Sequence, residues 1–351
     1  MRAVVVTQHG GPEVLRVQQR PDPRPGPGDV LIAVRAAGVN FADVLARCGR
    51  YPAAPKPPCV LGYEVAGEVA ELGRDVTGLS VGDRVVAATR FGGQAELVAV
   101  PASHVFPLAA GASFEEGASL LINYATAYAA LMVLGGAREG ERLLIQGAGG
   151  GVGLAAAQIA REAGVEVIGA AAALKHDAIR AHGVTHPIDS RAGDLKRRVL
   201  ELTAGEGVDV AIDAAGPKSF RTSYGLLRPG GRLVMIGYYA AADRGLRATL
   251  SVVRNFAAWP SATVPWWTLV TMLRQNRAVA GLDLLAWWDS ERHGAATHGA
   301  LLPRLSGPLL RLLADDAIRP VVHARVPFAD APEAHVILHE RRNVGKVVLA
   351  P

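Results

Sequence analysis

The sequence predicts an α/β protein of two domains, one antiparallel and β-rich, the other a doubly wound parallel sheet. Three observations predict it. The N-terminal third of the 351 residues consists of short apolar runs near period two, each bounded by Gly or Pro. From Glu141 to Gly237 apolar strands alternate with helical stretches. At the head of that alternation a strand runs through a glycine turn directly into a helix.

Taken in order, Arg2–Thr7 and Val14–Gln19 read as strands flanking the turn His9-Gly10-Gly11-Pro12. A proline-rich stretch, Pro21–Pro27, leads into Asp29–Ala37, and Glu64–Leu72, Asp83–Ala88 and Gln94–Val100 follow as further strands. Ser113-Phe114-Glu115-Glu116 has the spacing of a capping box, and a helix is expected over Ala118–Leu134. Strands are then expected at Arg142–Gln146, Val165–Ala170, Val208–Asp213 and Arg232–Gly237. Helices are expected at Val152–Ala163, Lys175–His182, Asp194–Thr203 and Phe220–Leu227. Ala278–Leu285 looks like one more buried strand. The tail reads as a helix over Leu305–Ala317, a strand at Val321–Val326, a helix near Ala331–Glu340 and a closing strand at Lys346–Leu349. This mixed tail suggests that the chain returns to the first domain, with the parallel sheet as an insertion.

Composition narrows the function. Half the residues are hydrophobic, with 40 Gly and 22 Pro, as in a compact α/β protein rich in turns. No apolar run reaches the roughly 18 residues that span a bilayer, and a cytoplasmic protein with no membrane partner is the expectation. Two cysteines, Cys48 and Cys59, supply neither a disulfide framework nor a zinc knuckle. The net charge is +5, from 32 scattered arginines and five lysines. That favours anionic ligands but forms no basic stripe for a nucleic acid.

Leu143-Leu144-Ile145-Gln146 is followed by Gly147-Ala148-Gly149-Gly150-Gly151-Val152-Gly153 and then by the apolar helix from Leu154. Aligned on the last glycine, Ala148, Gly150 and Gly153 take the three dinucleotide fingerprint positions, with Gly151 and Val152 between. Glycine lets the backbone turn tightly and approach a pyrophosphate, and the helix N-terminus presents free amides. An NAD site places Asp or Glu at the end of the next strand, for the ribose 2′-hydroxyl. Here that strand ends in Ala170-Ala171-Ala172-Ala173-Leu174, and Lys175 follows, where it could pair a 2′-phosphate. NADPH is the expected cofactor, the plain alternative for Lys175 being an exposed first-turn helix residue.

Several stretches together resemble the zinc-free medium-chain dehydrogenase/reductases of the quinone oxidoreductase branch. They are Gly38-Val39-Asn40-Phe41-Ala42-Asp43, Leu61-Gly62-Tyr63-Glu64-Val65-Ala66-Gly67, Asn123-Tyr124-Ala125-Thr126-Ala127-Tyr128, the glycine turn and Asn343-Val344-Gly345-Lys346-Val347-Val348. Gln275–Gly281 and Gly183–Asp189 resemble the vesicle-amine-transport-protein-like members more narrowly. The resemblance covers essentially the whole chain. It implies a GroES-like catalytic domain from residues 1–122 and 301–351, a Rossmann NADPH domain from residues 123–300, and a homodimer joined through the Rossmann sheet edges. Zinc members carry Cys in the first motif and Gly-His-Glu in the second. This chain has Asn40 and Gly62-Tyr63-Glu64, so no zinc site is expected.

The same resemblance implies hydride transfer to a carbon–carbon double bond conjugated to a carbonyl, in a quinone, an enone or an enoyl-CoA or carrier-bound thioester. Asn40 would hydrogen-bond the substrate carbonyl or the nicotinamide ribose, its plain alternative being a turn residue after a strand. Tyr51, in Gly49-Arg50-Tyr51-Pro52, resembles the tyrosine of zinc-free enoyl thioester reductases that donates a proton or orients substrate; otherwise it is a pocket-wall aromatic. Thr126 and Tyr128 would lie near the nicotinamide, Ala214-Ala215-Gly216 near its ribose, and Gly237 and Tyr238 beside the cofactor. Asn343 and Lys346 would return from the catalytic domain to touch it. The five tryptophans in Trp259–Trp288 read as core, lid or dimer packing rather than chemistry. A non-catalytic NADPH-binding protein, structural or vesicle-associated, is the competing class; the intact glycine turn and Lys175 argue against it.

Overall fold

In the computed structural model, which describes residues 1–237, 266–292 and 301–351, the chain forms two units. One joins Met1–Ala125 to Leu285–Pro351 and the other is Thr126–Leu284. In chain order the first unit begins with β1 (Arg2–Val6), β2 (Leu15–Gln19), β3 (Asp29–Val39), β4 (Cys59–Val60), β5 (Glu64–Leu72), β6 (Arg84–Ala88), β7 (Leu97–Pro101) and β8 (Val105–Pro107). The second carries β9 (Arg142–Gln146), β10 (Glu166–Ala171), β11 (His186–Asp189), β12 (Val208–Asp213), β13 (Leu227–Met235) and β14 (Ala278–Gly281). The tail returns to the first unit with β15 (Val322–Pro327) and β16 (Lys346–Ala350).

The first unit is the GroES-like β-rich fold. Its larger sheet runs β15-β16-β3-β5-β6-β8, with β7 also on β3, and its smaller one runs β2-β1-β4. Strand β3 is long because Val30, Ile32, Val34, Ala36, Ala37 and Val39 are all buried apolar residues of a central strand. The closing strand β16 pairs antiparallel with β3, Val347 opposite Val39 and Val348 opposite Gly38. On the other side Ala37 lies opposite Val65 at the start of β5. These registers bring Asn40, Glu64 and Lys346 together at one end of three neighbouring strands, from three distant parts of the chain.

The expected helix over Ala118–Leu134 is two pieces, and a separate short helix precedes it. Ser113 and Glu116 do cap each other, Ser113 N–H to Glu116 Oε2 at 2.7 Å and Glu116 N–H to Ser113 Oγ at 3.1 Å. The helix they start, α2 (Phe114–Gly117), stops within a turn, where Ser119 Oγ donates to Glu115 O at 2.7 Å. Helix α3 (Leu121–Tyr128) then continues as a π-helix, Ala129–Leu134. Arg232 closes that end, Nε donating to Gly135 O at 2.6 Å and Nη2 to Gly136 O at 2.8 Å.

The second unit is a six-stranded parallel sheet in the order β11-β10-β9-β12-β13-β14. The order reverses between β9 and β12, and ligands bind such sheets beyond the strand C-termini at that point. Polar contacts close the opposite ends, Arg142 pairing with Glu206 at 2.8 Å and His186 Nε2 hydrogen-bonded to Glu166 Oε1 at 2.8 Å among them. Strand β11 lies at a sheet edge, which is why its Pro187 is tolerated. The stretch Ala278–Leu285 is not a buried strand. Its first four residues form the other edge, with Ala278, Val279 and Gly281 exposed, and a helix begins at Leu284.

One buried group gives the first unit a pH dependence. His335, in the helix Ala331–His339, is fully buried, and neither ring nitrogen has a partner among the described residues. Burial, and secondarily the charge of Arg47, pushes its pKa from 6.5 down to about 3. The unfolded chain therefore takes this proton first. Stability is full above pH 6.5 and declines as the pH falls toward 3. His335→Gln removes this component. Urea denaturation at about pH 7.5 and about pH 5 should show the wild type losing more stability than the variant between the two; an equal loss would contradict the assignment.

Candidate active site

Asn40 is the residue before helix α1 (Phe41–Arg47) and forms a capping box with Asp43. Asp43 Oδ2 accepts the Asn40 N–H at 2.7 Å and its Oδ1 the Gly62 N–H at 3.0 Å. The Asn40 amide also meets two charged groups. Its Oδ1 accepts from Lys346 Nζ at 2.6 Å, and its Nδ2 donates to Glu64 Oε1 at 3.2 Å. Lys346 Nζ also donates to Glu64 Oε1 at 2.5 Å, and Glu64 Oε2 accepts the Ile122 N–H at 2.9 Å. Lys346 is 3 % exposed and Glu64 is 0 % exposed, so this is a buried ion pair with an amide built into it.

Gly38 makes the room. A Cβ there would lie 2.2 Å from Ala118 O and 2.8 Å from Glu64 Cγ. Asp43 is fully buried, and desolvation pushes its carboxyl up to about 7, with Glu64 adding to the rise; the two backbone N–H groups and Lys346 pull the other way. Tyr63, the residue before Glu64, belongs to an aromatic group. Tyr51 meets the Tyr63 ring edge-on at 6.2 Å between centroids, and Tyr63 packs on Phe91 at 5.2 Å. Tyr51 itself is half-buried against the core of this unit. Asn343 belongs to the loop before β16, where its Nδ2 donates to Gly345 O at 2.6 Å. Among the described residues no group of three or more His, Cys, Asp or Glu could hold a metal ion.

In the second unit the glycine turn leaves β9 and enters helix α4 (Gly151–Glu162). Gly150 is the residue before the helix and offers no side-chain cap, so the first amides are left for a ligand. A Cβ on Gly153 would lie 2.4 Å from Gly147 O, so only glycine lets the turn and helix close on each other. A Cβ on Gly150 would meet only Gly147 O, at 3.5 Å, and that open side is where a pyrophosphate fits. Ala148 is buried under the turn, and Val152 lies in the first turn of α4. Lys175 ends the short 3-10 turn after β10 and lies over the glycine loop, its Cδ 2.7 Å from where a Gly149 Cβ would be. These residues fit a dinucleotide.

Thr126 is buried in α3, and Gly237 follows β13. Ala215 lies in the turn after β12, where its N–H donates to Asp213 Oδ1 at 2.8 Å. Asp213 is buried and also accepts from Ser219 Oγ at 2.6 Å and Ser223 Oγ at 2.7 Å, so it holds the loop that carries Ala215. Burial raises its pKa against those hydrogen bonds. Tyr238 lies outside the described residues.

Residues 26–110 match the alcohol dehydrogenase GroES-like domain, and residues 151–258 match the zinc-binding dehydrogenase family. The synaptic vesicle membrane protein VAT-1 homolog of Rattus norvegicus is 36 % identical over 354 residues, covering 100 % of this chain and 84 % of its own. The chain belongs to the VAT-1 and quinone oxidoreductase branch of the medium-chain dehydrogenase/reductases. A quinone oxidoreductase of Pseudomonas aeruginosa is 33 % identical, covering 98 % of this chain and 97 % of its own. The Escherichia coli quinone oxidoreductase solved with NADPH superposes with a TM-score of 0.83 at 28 % identity over 100 % of both chains. The CurK enoyl reductase gives 0.82 at 26 % identity over 99 % of this chain and 98 % of its own. Proteins named as quinone oxidoreductase and as enoyl reductase thus share this fold. No helix among the described residues is long and apolar enough to cross a membrane.

Glu64, Asp43 and Asp213 were not singled out from the sequence as site residues. Glu64 had a signal, as the acid that follows Gly62-Tyr63; the other two are buried acids whose role shows only once their partners are placed. Gly38→Ala tests how tightly the first cluster is built. Overpacking against Ala118 O should cost about 2–3 kcal/mol in chemical denaturation; a variant as stable as the wild type would show that the cluster has room to spare.

Proposed function

We propose that this chain is an NADPH-dependent reductase of a carbon–carbon double bond conjugated to a carbonyl, in an enoyl thioester or a quinone or enone, working without zinc. The observation that carries it is the Asn40 amide, held by Lys346 and Glu64 with its nitrogen still able to donate. Bound NADPH supplies the hydride, which adds to the β-carbon. Negative charge then develops on the carbonyl oxygen, and the Asn40 Nδ2–H donates to it; one such donor is worth about 100-fold or more in kcat. The α-carbon then takes a proton, and the Tyr51 hydroxyl is the donor we assign.

The donor set speaks against a metal in the same place. An ammonium sits 2.6 Å from the Asn40 oxygen, and neither thiolate nor imidazole is among the groups that meet there. A divalent cation would meet a fixed positive charge and soft ligands would be lacking. Lys175 over the glycine loop, with no acid at the end of β10, supports NADPH over NADH. Of the acceptors, the Gly49-Arg50-Tyr51-Pro52 segment and the likeness to CurK support the enoyl thioester, and the two quinone oxidoreductases support the quinone.

Oxidation of NADPH with an enoyl-CoA, a simple enone and a quinone in parallel tests the reading. Turnover of the thioester well above the quinone, lost in Tyr51→Phe, makes this an enoyl reductase; turnover of quinone alone, indifferent to Tyr51, makes it a quinone reductase. Tight NADPH binding without turnover of any acceptor would overturn the enzyme reading in favour of a binding protein. Lys175→Ala should raise KM for NADPH by about tenfold and leave KM for NADH nearly unchanged. An equal rise for both would remove Lys175 from the 2′-phosphate.

We also propose a homodimer joined through β14. Among the described residues it is the last strand of the sheet, its Val279 is exposed, and Leu269 and Leu273 on the preceding helix Trp266–Gln275 are exposed as well. An apolar strand edge of this kind pairs readily with a second copy. Light scattering should give a dimer for the wild type and a monomer for Val279→Lys with Leu273→Lys; a monomeric wild type would contradict it.

A further inference from the structure

We infer that Lys346 is a positioning residue for Asn40, its ammonium fixing which end of the amide donates and polarising that end, with Glu64 as the opposite jaw of the clamp. This rests on the reading of Asn40 as the donor to the substrate carbonyl.

An amide side chain can present either its oxygen or its nitrogen, and nothing in asparagine itself chooses. Here two charges choose, and they agree. An ammonium has only donors, so the group 2.6 Å from Lys346 Nζ must be the amide oxygen. An ionised carboxylate has only acceptors, so the group 3.2 Å from Glu64 Oε1 must be the amide nitrogen. A flipped amide would set N–H against ammonium and oxygen against carboxylate. Neither is tolerable in a site where Lys346, Glu64 and Asn40 are all buried.

The clamp itself is fixed at each end. Glu64 Oε2 is tied to the Ile122 N–H, and Asp43 ties the Asn40 and Gly62 N–H groups together, so the amide has little freedom to swing. One Nδ2 hydrogen goes to Glu64. The second is the donor left for the carbonyl oxygen. An amide whose oxygen accepts from a cation shifts electron density toward that oxygen, and its N–H becomes the stronger donor. Lys346 would thus strengthen the hydrogen bond to the enolate without touching substrate.

Because Lys346 acts through Asn40, the two substitutions must not multiply. In the full-length protein with saturating NADPH and an enone, Asn40→Ala and Lys346→Met should each lower kcat by about 100-fold, and the double variant should be no slower than Asn40→Ala alone. KM for NADPH should change by less than about threefold, and Lys346→Arg should recover at least about tenfold of the loss by restoring a cationic donor. A second readout does not depend on turnover. Selective 15N-asparagine labelling gives five side-chain amides, and the Asn40 pair is the one lost in Asn40→Ala. Its protons should exchange with water at least about tenfold faster in Lys346→Met than in the wild type. Lys346→Gln, which keeps a neutral donor, replaces Lys346→Met if the latter does not fold, with the same non-additivity expected.

Losses that multiply would overturn the inference and assign Lys346 an independent contact with substrate or cofactor. An Asn40 amide indifferent to Lys346→Met would overturn it as well. If the amide responds but Asn40→Ala turns over like the wild type, the clamp stands and the carbonyl-donor reading of Asn40 falls.

Discussion

A buried ammonium needs a counter-charge, and that constraint organises the first unit. Lys346 is removed from water at the start of the closing strand β16, and an unpaired charge there would be too costly to keep. Glu64 neutralises it, Asn40 takes a second of its hydrogens, and the registers of β16 and β5 on β3 follow from bringing the three together. Gly38 is glycine because the Glu64 side chain and the Ala118 carbonyl occupy the space a methyl would need. The C-terminal tail is thereby tied into the N-terminal domain by charge as well as by strand pairing.

The second unit meets its own constraint with backbone rather than side chains. A dinucleotide pyrophosphate needs amides at a helix N-terminus, so the turn into α4 carries glycine where a Cβ would block the approach or the closure. Asp213 plays a supporting part, its carboxylate gathering the Ala215 N–H and two serine hydroxyls into one loop conformation after β12. In both units a buried carboxylate holds a loop rather than reacting. The Asn40 amide nitrogen and the backbone amides at the start of α4 keep donors to offer.

Much of this was legible in the sequence, and the part that was not has definite causes. The alternation from Glu141 to Gly237 and the glycine turn gave the parallel sheet, because a helix following a strand leaves two distinct periods. Strand β11 is not among the elements expected from the sequence; it is only four residues long and contains Pro187, whose missing N–H costs nothing at a sheet edge. The break after α2 and the π-helix depend on Ser119 and Arg232 finding carbonyls, which a periodicity cannot show. Ala278–Leu285 is apolar but for Gly281 and Asp283, yet burial of an edge strand depends on what lies beyond it. Asn40 and Lys346 were both singled out through the resemblance. Their contact, across 306 residues of sequence, was not, and it changes what Lys346 is seen to do.

In the proposed reaction, reduction occurs at the double bond and the carbonyl is held as an acceptor of charge. The reaction run with NADPH carrying deuterium at the transferable position, with the label located in the product of a simple enone by NMR, tests this. Deuterium on the carbon β to an intact carbonyl is the expected result. Deuterium on a carbinol carbon, with the double bond retained, would mean that the carbonyl itself is reduced and would contradict the role given to Asn40.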